Sequence, residues 1–206
     1  MRSRDARGFT LIELVLALTI VALMITMLFA GLRVGLRAWQ RGEARAVTLQ
    51  HGRSVTQILE DTLGGIAPYL GLQDETTQTP VLFFKGEPEK IAFVTMAPPM
   101  PFPTPMAFVA ITLSIDGGQS PGLAIRQKAL PNFDPFETVA PILADPVITG
   151  VKFRYLRDGG TWEESWDAVL ERALPQAVEV TLATTLNGRV QPPAPPIVVP
   201  IRMNTP

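Results

Sequence analysis

Hydrophobic and polar positions follow three regimes along the chain, and each predicts a different element. From Phe9 to Leu32 the run FTLIELVLALTIVALMITMLFAGL is mostly apolar, with Glu13 its one ionisable residue. A helix of this length rises about 36 Å, enough to cross a hydrocarbon layer of about 30 Å. The apolar positions then thin to a helical period: Leu32, Leu36 and Trp39, followed by Val47, Val55, Ile58, Leu59, Leu63 and Ile66. Such spacing predicts an amphipathic helix with one face on a globular body. Arg33, Arg37 and Arg41 recur at i+4 and line another side. No proline precedes Pro68, so one helix of about 80 Å is allowed from Phe9 to Ala67. Gly31, Gly35, Gly42 and Gly52 weaken it, and Gly64-Gly65 with Pro68 mark its end.

Beyond Pro80 the pattern changes to short apolar runs between turn residues. Val81–Phe84, Ile91–Met96, Met106–Ile115, Leu123–Ile125, Val147–Leu156, Ala177–Thr184 and Ile197–Ile201 read as strands. In Val151–Tyr155 apolar residues alternate with basic ones, and Val178–Leu182 alternates too, which predicts half-buried antiparallel strands. Gly117-Gly118 and Asp158-Gly159-Gly160 read as turns. The proline-rich stretches Ala97–Pro105 and Gln191–Pro196 read as stiff connections, the second placed to protect a sheet edge. The expected class is α+β: one long helix packed on an antiparallel β-sheet body.

Composition narrows the chemistry. The 206 residues suffice for one compact domain. Cysteine is absent and His51 is the single histidine, which excludes disulfides, thiolate metal sites and histidine clusters. A formal net charge of −1 gives no sign of nucleic-acid binding. Only 18% of residues are charged, and the mean hydropathy of +0.22 leans towards the membrane. His51 falls between Val47 and Val55 at i±4, so it is expected on or beside the packed face, partly buried with one hydrogen bond. Trp39 suits a membrane-interface anchor or a subunit contact equally. Trp162 and Trp166 are four apart, so one helical turn would put both on one face. They would cap the sheet's open end or anchor a partner, and packing is the favoured reading. Glu163, Glu164 and Asp167 lack the spacing of a calcium loop and read as a solvated face. Asp134, Glu137 and Asp145 are expected in loops without basic or nucleophilic partners. No nucleophile elbow, phosphate loop or zinc-protease motif occurs, so the expectation is a non-enzyme without cofactor or metal.

The N-terminus carries the most specific signal. Residues 1–8 hold three arginines against one aspartate, and this basic flank predicts a cytoplasmic N-terminus with the body across the membrane. A secretory signal has a shorter apolar region and a small-residue cleavage site. A plain signal anchor fits length and charge equally well. Glu13 separates the readings, because a carboxylate in lipid is costly and usually marks function or a partner. Cleavage after Gly8 would release the amine of Phe9 as a suitable cation. A glutamate reaching back to the headgroups is the alternative.

Arg7-Gly8-Phe9-Thr10-Leu11-Ile12-Glu13 resembles the prepilin processing motif of type IV pilins and type II secretion pseudopilins. The resemblance implies cutting between Gly8 and Phe9 by a membrane prepilin peptidase. It also implies N-methylation of Phe9 and a role for Glu13 as the carboxylate that admits a subunit to the filament. Phe153–Leu156, Gly159–Trp162, Trp166 and Leu174–Leu182 resemble the C-terminal half of the J-type minor pseudopilins of type II secretion. Leu59–Leu63 departs from the Arg-Asp pair often found there near the helix end. The organisation this implies is a leader at 1–8, a membrane half of the helix at 9–32, a periplasmic half at 33–67 and a body at 68–206. The implied partners are I- and K-type minor pseudopilins in a tip complex, other pseudopilins and the inner membrane of a Gram-negative bacterium. Removal of the leader leaves 15 Lys+Arg against 18 Asp+Glu, formally −3. The rival readings are a minor pilin of a type IV pilus and a signal-anchored periplasmic enzyme or binding domain.

Overall fold

The computed structural model describes residues 10–72, 79–102, 106–118, 121–186 and 188–202, and of 40–49 the backbone. Helix α1 runs from Leu11 to Gly64. The strands follow as β1 (Leu70–Gly71), β2 (Val81–Leu82), β3 (Phe84–Gly86), β4 (Lys90–Thr95), β5 (Val109–Asp116), β6 (Gly122–Ala129), β7 (Leu143–Asp145) and β8 (Ile148–Leu156). Then come β9 (Trp162–Glu163), β10 (Trp166–Asp167), the one-turn helix α2 (Ala168–Glu171), β11 (Ala177–Leu186), β12 (Arg189–Val190) and β13 (Ile197–Pro200). The α+β class and the long proline-free helix are as the sequence predicts.

The chain divides into two compact units, the first ending at Ser54 and the second running from Val55. In the first, Leu11–Trp39 forms 29 residues of mean hydropathy 2.6, none buried within the protein. Leu32, Leu36 and Trp39 are exposed, where their spacing predicts a packed face. His51 is exposed as well, against the expectation of partial burial. The packed face begins at Val55 and Ile58, and Leu59, Thr62, Leu63 and Ile66 are fully inside. An i+4 spacing fixes the side of a helix, but which turns of that side meet a partner depends on where the body lies.

In the second unit a six-stranded antiparallel sheet has the order β10-β3-β4-β5-β6-β7. A second sheet runs β12-β11-β8-β9, with β13 also paired to β11. Leu59, Leu63 and Ile66 enter one core with Phe93, Ile111 and Ile125 of the first sheet and Phe153, Tyr155 and Val180 of the second. The opposite face of the large sheet buries Phe83, Val94, Ala110 and Leu130 beneath Tyr69, Phe108 and Phe136. Burial on both faces explains the near-continuous apolar run of β4. In β8, by contrast, Val151, Phe153 and Tyr155 point inward while Lys152 and Arg154 point out, as their alternation predicts. Arg154 lies opposite Glu179 in the ladder and binds it at 2.7 Å.

Helix α1 is tied to the sheet at its stop. Ala67 donates to Val94 O at 3.0 Å, Met96 donates to Gly65 O at 2.9 Å, and the Thr95 hydroxyl donates to Thr62 O at 2.9 Å. A Cβ on Gly65 would lie 2.6 Å from Thr95 Oγ1 and 2.9 Å from the Ala97 amide nitrogen. Gly65→Ala is expected to lower body stability by about 2 kcal/mol, in the range of overpacked sites, as read by urea unfolding.

The C-terminal strand β13 forms an edge. Ile201 donates to Gln176 O at 2.8 Å, so the amides of Val199 and Ile197 face β11 and that of Val198 faces outward. The flanking outward positions are Pro196 and Pro200, which have no amide hydrogen.

Candidate functional site

Thr10 begins the described chain, so Gly8 and Phe9 lie outside the described residues. Glu13 sits in the first turn of α1. Its Oε2 accepts from the Thr10 amide at 3.2 Å and from the Thr10 hydroxyl at 3.1 Å, and the Glu13 amide donates back to Thr10 Oγ1 at 3.4 Å. This reciprocal pair is a capping box, two orphan amides satisfied by a Thr-x-x-Glu spacing. The signal is present in the sequence as Thr10-Leu-Ile-Glu13, although the prepilin-like reading of Glu13 does not draw on it. The carboxylate is not covered by other parts of the protein, and its Oε1 is uncommitted to Thr10.

At the far end of the apolar span Trp39 is 75% exposed, next in the chain to the arginine-bearing turns of Arg33 and Arg37. Leu28, Leu32 and Leu36 project beside Gly31 and Gly35, where nothing approaches within 4 Å.

The tryptophan segment departs from expectation. Trp162 and Trp166 share no helical turn; each belongs to a two-residue strand in a different sheet. Trp162 lies opposite Leu156 of β8, half-buried, with the Arg154 guanidinium 5.5 Å from its ring centre. Trp166 lies opposite Gly86 of β3, and its ring is buried with Nε1 donating to Ala173 O at 2.9 Å. The two tryptophans thus carry the chain from one sheet to the other. Spacing alone misses this because two-residue strands are fixed by partners distant in sequence. Replacing Trp166 by Phe removes the donor and leaves Ala173 O short of a partner. The expected loss is about 1 to 2 kcal/mol, measurable as a shift of the urea midpoint with unchanged slope.

Arg157 organises this crossing. It binds Glu171 through two nitrogens at 2.7 and 2.8 Å and Glu163 at 3.3 Å, and it lies 5.1 Å from the centre of the Trp166 ring. The bond to Glu171 raises the already high pKa of Arg157, and the same contact holds the Glu171 carboxyl below its usual range. A lowered carboxyl stabilises the fold above its ordinary pKa, and the contribution disappears as pH falls through the folded value. Glu171→Gln is therefore expected to flatten the loss of stability between neutral and about pH 3, compared by urea midpoints at several pH values. The acidic residues here serve structure. Glu163 pairs with Arg157, Glu164 lies 4.0 Å from Lys152, and Asp167 Oδ1 caps α2 by accepting from Val169 at 2.9 Å.

Two further acidic residues differ from expectation. Glu137 has a basic partner, Lys128 at 2.7 Å, which lowers its pKa. Asp145 is not in a loop but in β7, buried, with Oδ1 accepting from the Val147 amide at 3.0 Å. A three-residue strand bounded by Pro141 and Pro146 gives no alternation to read.

The chain offers an exposed carboxylate at the head of an apolar helix, and a strand-rich body follows in sequence. Comparison with known families accounts for both parts. Residues 3–29 match the prokaryotic N-terminal methylation motif, and residues 30–191 match the type II secretion system (T2SS), protein J. The chain belongs to the type II secretion protein J family. It is 38% identical over 98 residues to the type II secretion system protein J of Xanthomonas campestris pv. campestris. That alignment covers 48% of this chain and 46% of the relative, so the chain spans about half the length of the curated relative it matches. Membership agrees with the resemblance carried by the Trp162–Trp166 region, although the geometry of that region is strands and not a helical turn.

Proposed function

We propose that this chain is a minor pseudopilin of the type II secretion system and acts as a structural subunit rather than an enzyme. It is inserted in the inner membrane through Leu11–Trp39 with the N-terminus cytoplasmic and the body periplasmic. Prepilin peptidase cuts between Gly8 and Phe9 and methylates the Phe9 amine. Glu13 then pairs with the amine of a neighbouring subunit as the chain enters the fibre. In the assembled state the body joins I- and K-type minor pseudopilins in a complex at the pseudopilus tip, which initiates the fibre and supports export across the outer membrane. The observation that carries this reading is the coincidence, in one chain, of the methylation-motif match and the protein J match. The exposed Glu13 carboxylate in the first turn of α1 supports the assembly role. Trp39 and the half-exposed Trp162 are aromatic surfaces available to partners; the buried ring of Trp166 serves the body itself.

Two measurements test this. Mass spectrometry of the chain extracted from its native membrane is expected to find a chain starting at a methylated Phe9. Residues 33–206, mixed with the soluble parts of I- and K-type subunits from the same cell, are expected to elute as a 1:1:1 complex in gel filtration with light scattering. An uncleaved N-terminus would support a plain signal anchor. Processing without association would move the assignment to a type IV minor pilin.

A further inference from the structure

The outer face of the large sheet changes character along its length. Alternation puts Lys90 and Val94 of β4, Ala110, Thr112 and Ser114 of β5, and Arg126 of β6 on this one face. At one end Val94 and Ala110 lie buried in the aromatic layer of Tyr69 and Phe108. At the other end the register sets Ser114 opposite Lys90 and Thr112 opposite Arg126. These four side chains line a pocket of about 120 Å³, together with Phe136, Glu137 and Thr138 of the segment between β6 and β7. That is several times the space one water needs.

The pocket is rich in hydrogen-bond donors. Thr112 is only 7% exposed, and among the described residues its hydroxyl has no partner. A buried hydroxyl left in this state costs stability, which a valine of the same shape would not. Ser114 accepts from Arg126 Nη1 at 3.2 Å, so its own hydrogen is free to be donated. Thr138 adds a third hydroxyl. Charge is balanced except at one residue. Arg126 pairs with Asp116 and Glu137 with Lys128, whereas Lys90 is unpaired among the described residues. The Arg126 fork is already engaged by Asp116, Ser114 and Val139 O, so a planar carboxylate would miss its usual two-pronged partner. Separate donors from two strands and a loop suit a tetrahedral oxyanion instead.

We propose that this pocket binds a phosphate group. The Lys90 ammonium supplies the uncompensated charge, and the hydroxyls of Thr112, Ser114 and Thr138 donate to the phosphate oxygens. Arg126, held by its bonds to Val139 O, Ser114 and Asp116, forms a fixed wall. The site goes beyond the pseudopilin assignment and does not depend on it, since processing at Phe9 and assembly through Glu13 concern the other unit of the chain.

The test uses the full-length chain in an uncharged maltoside detergent, titrated with inorganic phosphate at constant ionic strength with chloride as the balancing anion. Calorimetry is expected to show saturable binding. Lys90→Met and Thr112→Val are each expected to weaken it at least about tenfold, and Lys90→Arg to retain it. Without phosphate, Thr112→Val is expected to unfold at a urea midpoint equal to or above that of the parent chain, which a merely structural threonine would not allow. With phosphate the parent midpoint rises and that of Thr112→Val does not. Glycerol 3-phosphate identifies the source of the group. If it binds with the same sensitivity to Lys90→Met and Thr112→Val, the pocket accepts a phosphate ester such as a lipid headgroup carries. If inorganic phosphate binds and the ester does not, the pocket takes the free ion. Phosphate acting no differently from chloride, or binding indifferent to both substitutions, overturns the proposal. So does acetate binding as tightly as phosphate, which would make the pocket a carboxylate site.

Discussion

Gly86→Ala is expected to destabilise the body by about 3 kcal/mol, the upper end of the usual cost of overpacking a core. Gly86 is buried in β3, and a Cβ there would fall among the ring carbons and hydroxyl of Tyr155. Those atoms cannot easily yield. Tyr155 has no exposed surface, packs edge-on against Phe84 at 6.0 Å and donates its hydroxyl to Glu87 O at 3.0 Å. Burial raises the pKa of that hydroxyl, so it stays protonated and keeps its role as donor across the physiological range. The ring also joins the two sheets, since Tyr155 belongs to β8 while Glu87 follows β3. Thermal unfolding should show a fall of about 10 °C for a body of this size. The mechanism is checked by a double-mutant cycle with Tyr155→Leu. A smaller side chain makes room for the new methyl, so the paired loss should be less than the sum of the single losses. Additive losses would mean that the collision is relieved elsewhere.

Glu13→Gln is expected to abolish assembly as completely as Glu13→Ala, and the comparison is informative because of the capping box. Glutamine at this position keeps the hydrogen bonds to Thr10 and the helix start they secure. Alanine loses them, at a cost to the helix start of about 1 kcal/mol. If the residue served only to cap α1, glutamine would restore secretion and alanine would not. If its charge pairs with a neighbour's terminal amine, both fail alike. Secretion of an exported enzyme from cells carrying each variant, together with cross-linking to neighbouring pseudopilins, decides between them. Cleavage at Gly8 should persist in both, which separates a failure to assemble from a failure to be processed.

The legible parts of this chain were those governed by local repetition. A proline-free apolar run specifies α1, and strict alternation specifies the inward face of β8 from Val151 to Tyr155. What sequence reading missed was set by pairing at a distance. Trp162 and Trp166 have helical spacing but are held as strands by Leu156 and Gly86. His51 and Trp39 continue the helical period yet stand clear of any core. Asp145 is held inside by a strand too short to show a pattern. The Thr10–Glu13 pair was legible from its spacing, but a motif with a stronger meaning covered the same residue.

The proline-flanked β13 edge has a consequence for polymer growth. Subunits lined up along a fibre meet their neighbours at very high local concentration, where bare strand edges would zip together indiscriminately. Along β13 this chain offers a neighbour a single main-chain donor, that of Val198, between two prolines. Lateral zippering of bodies through that edge is thereby discouraged.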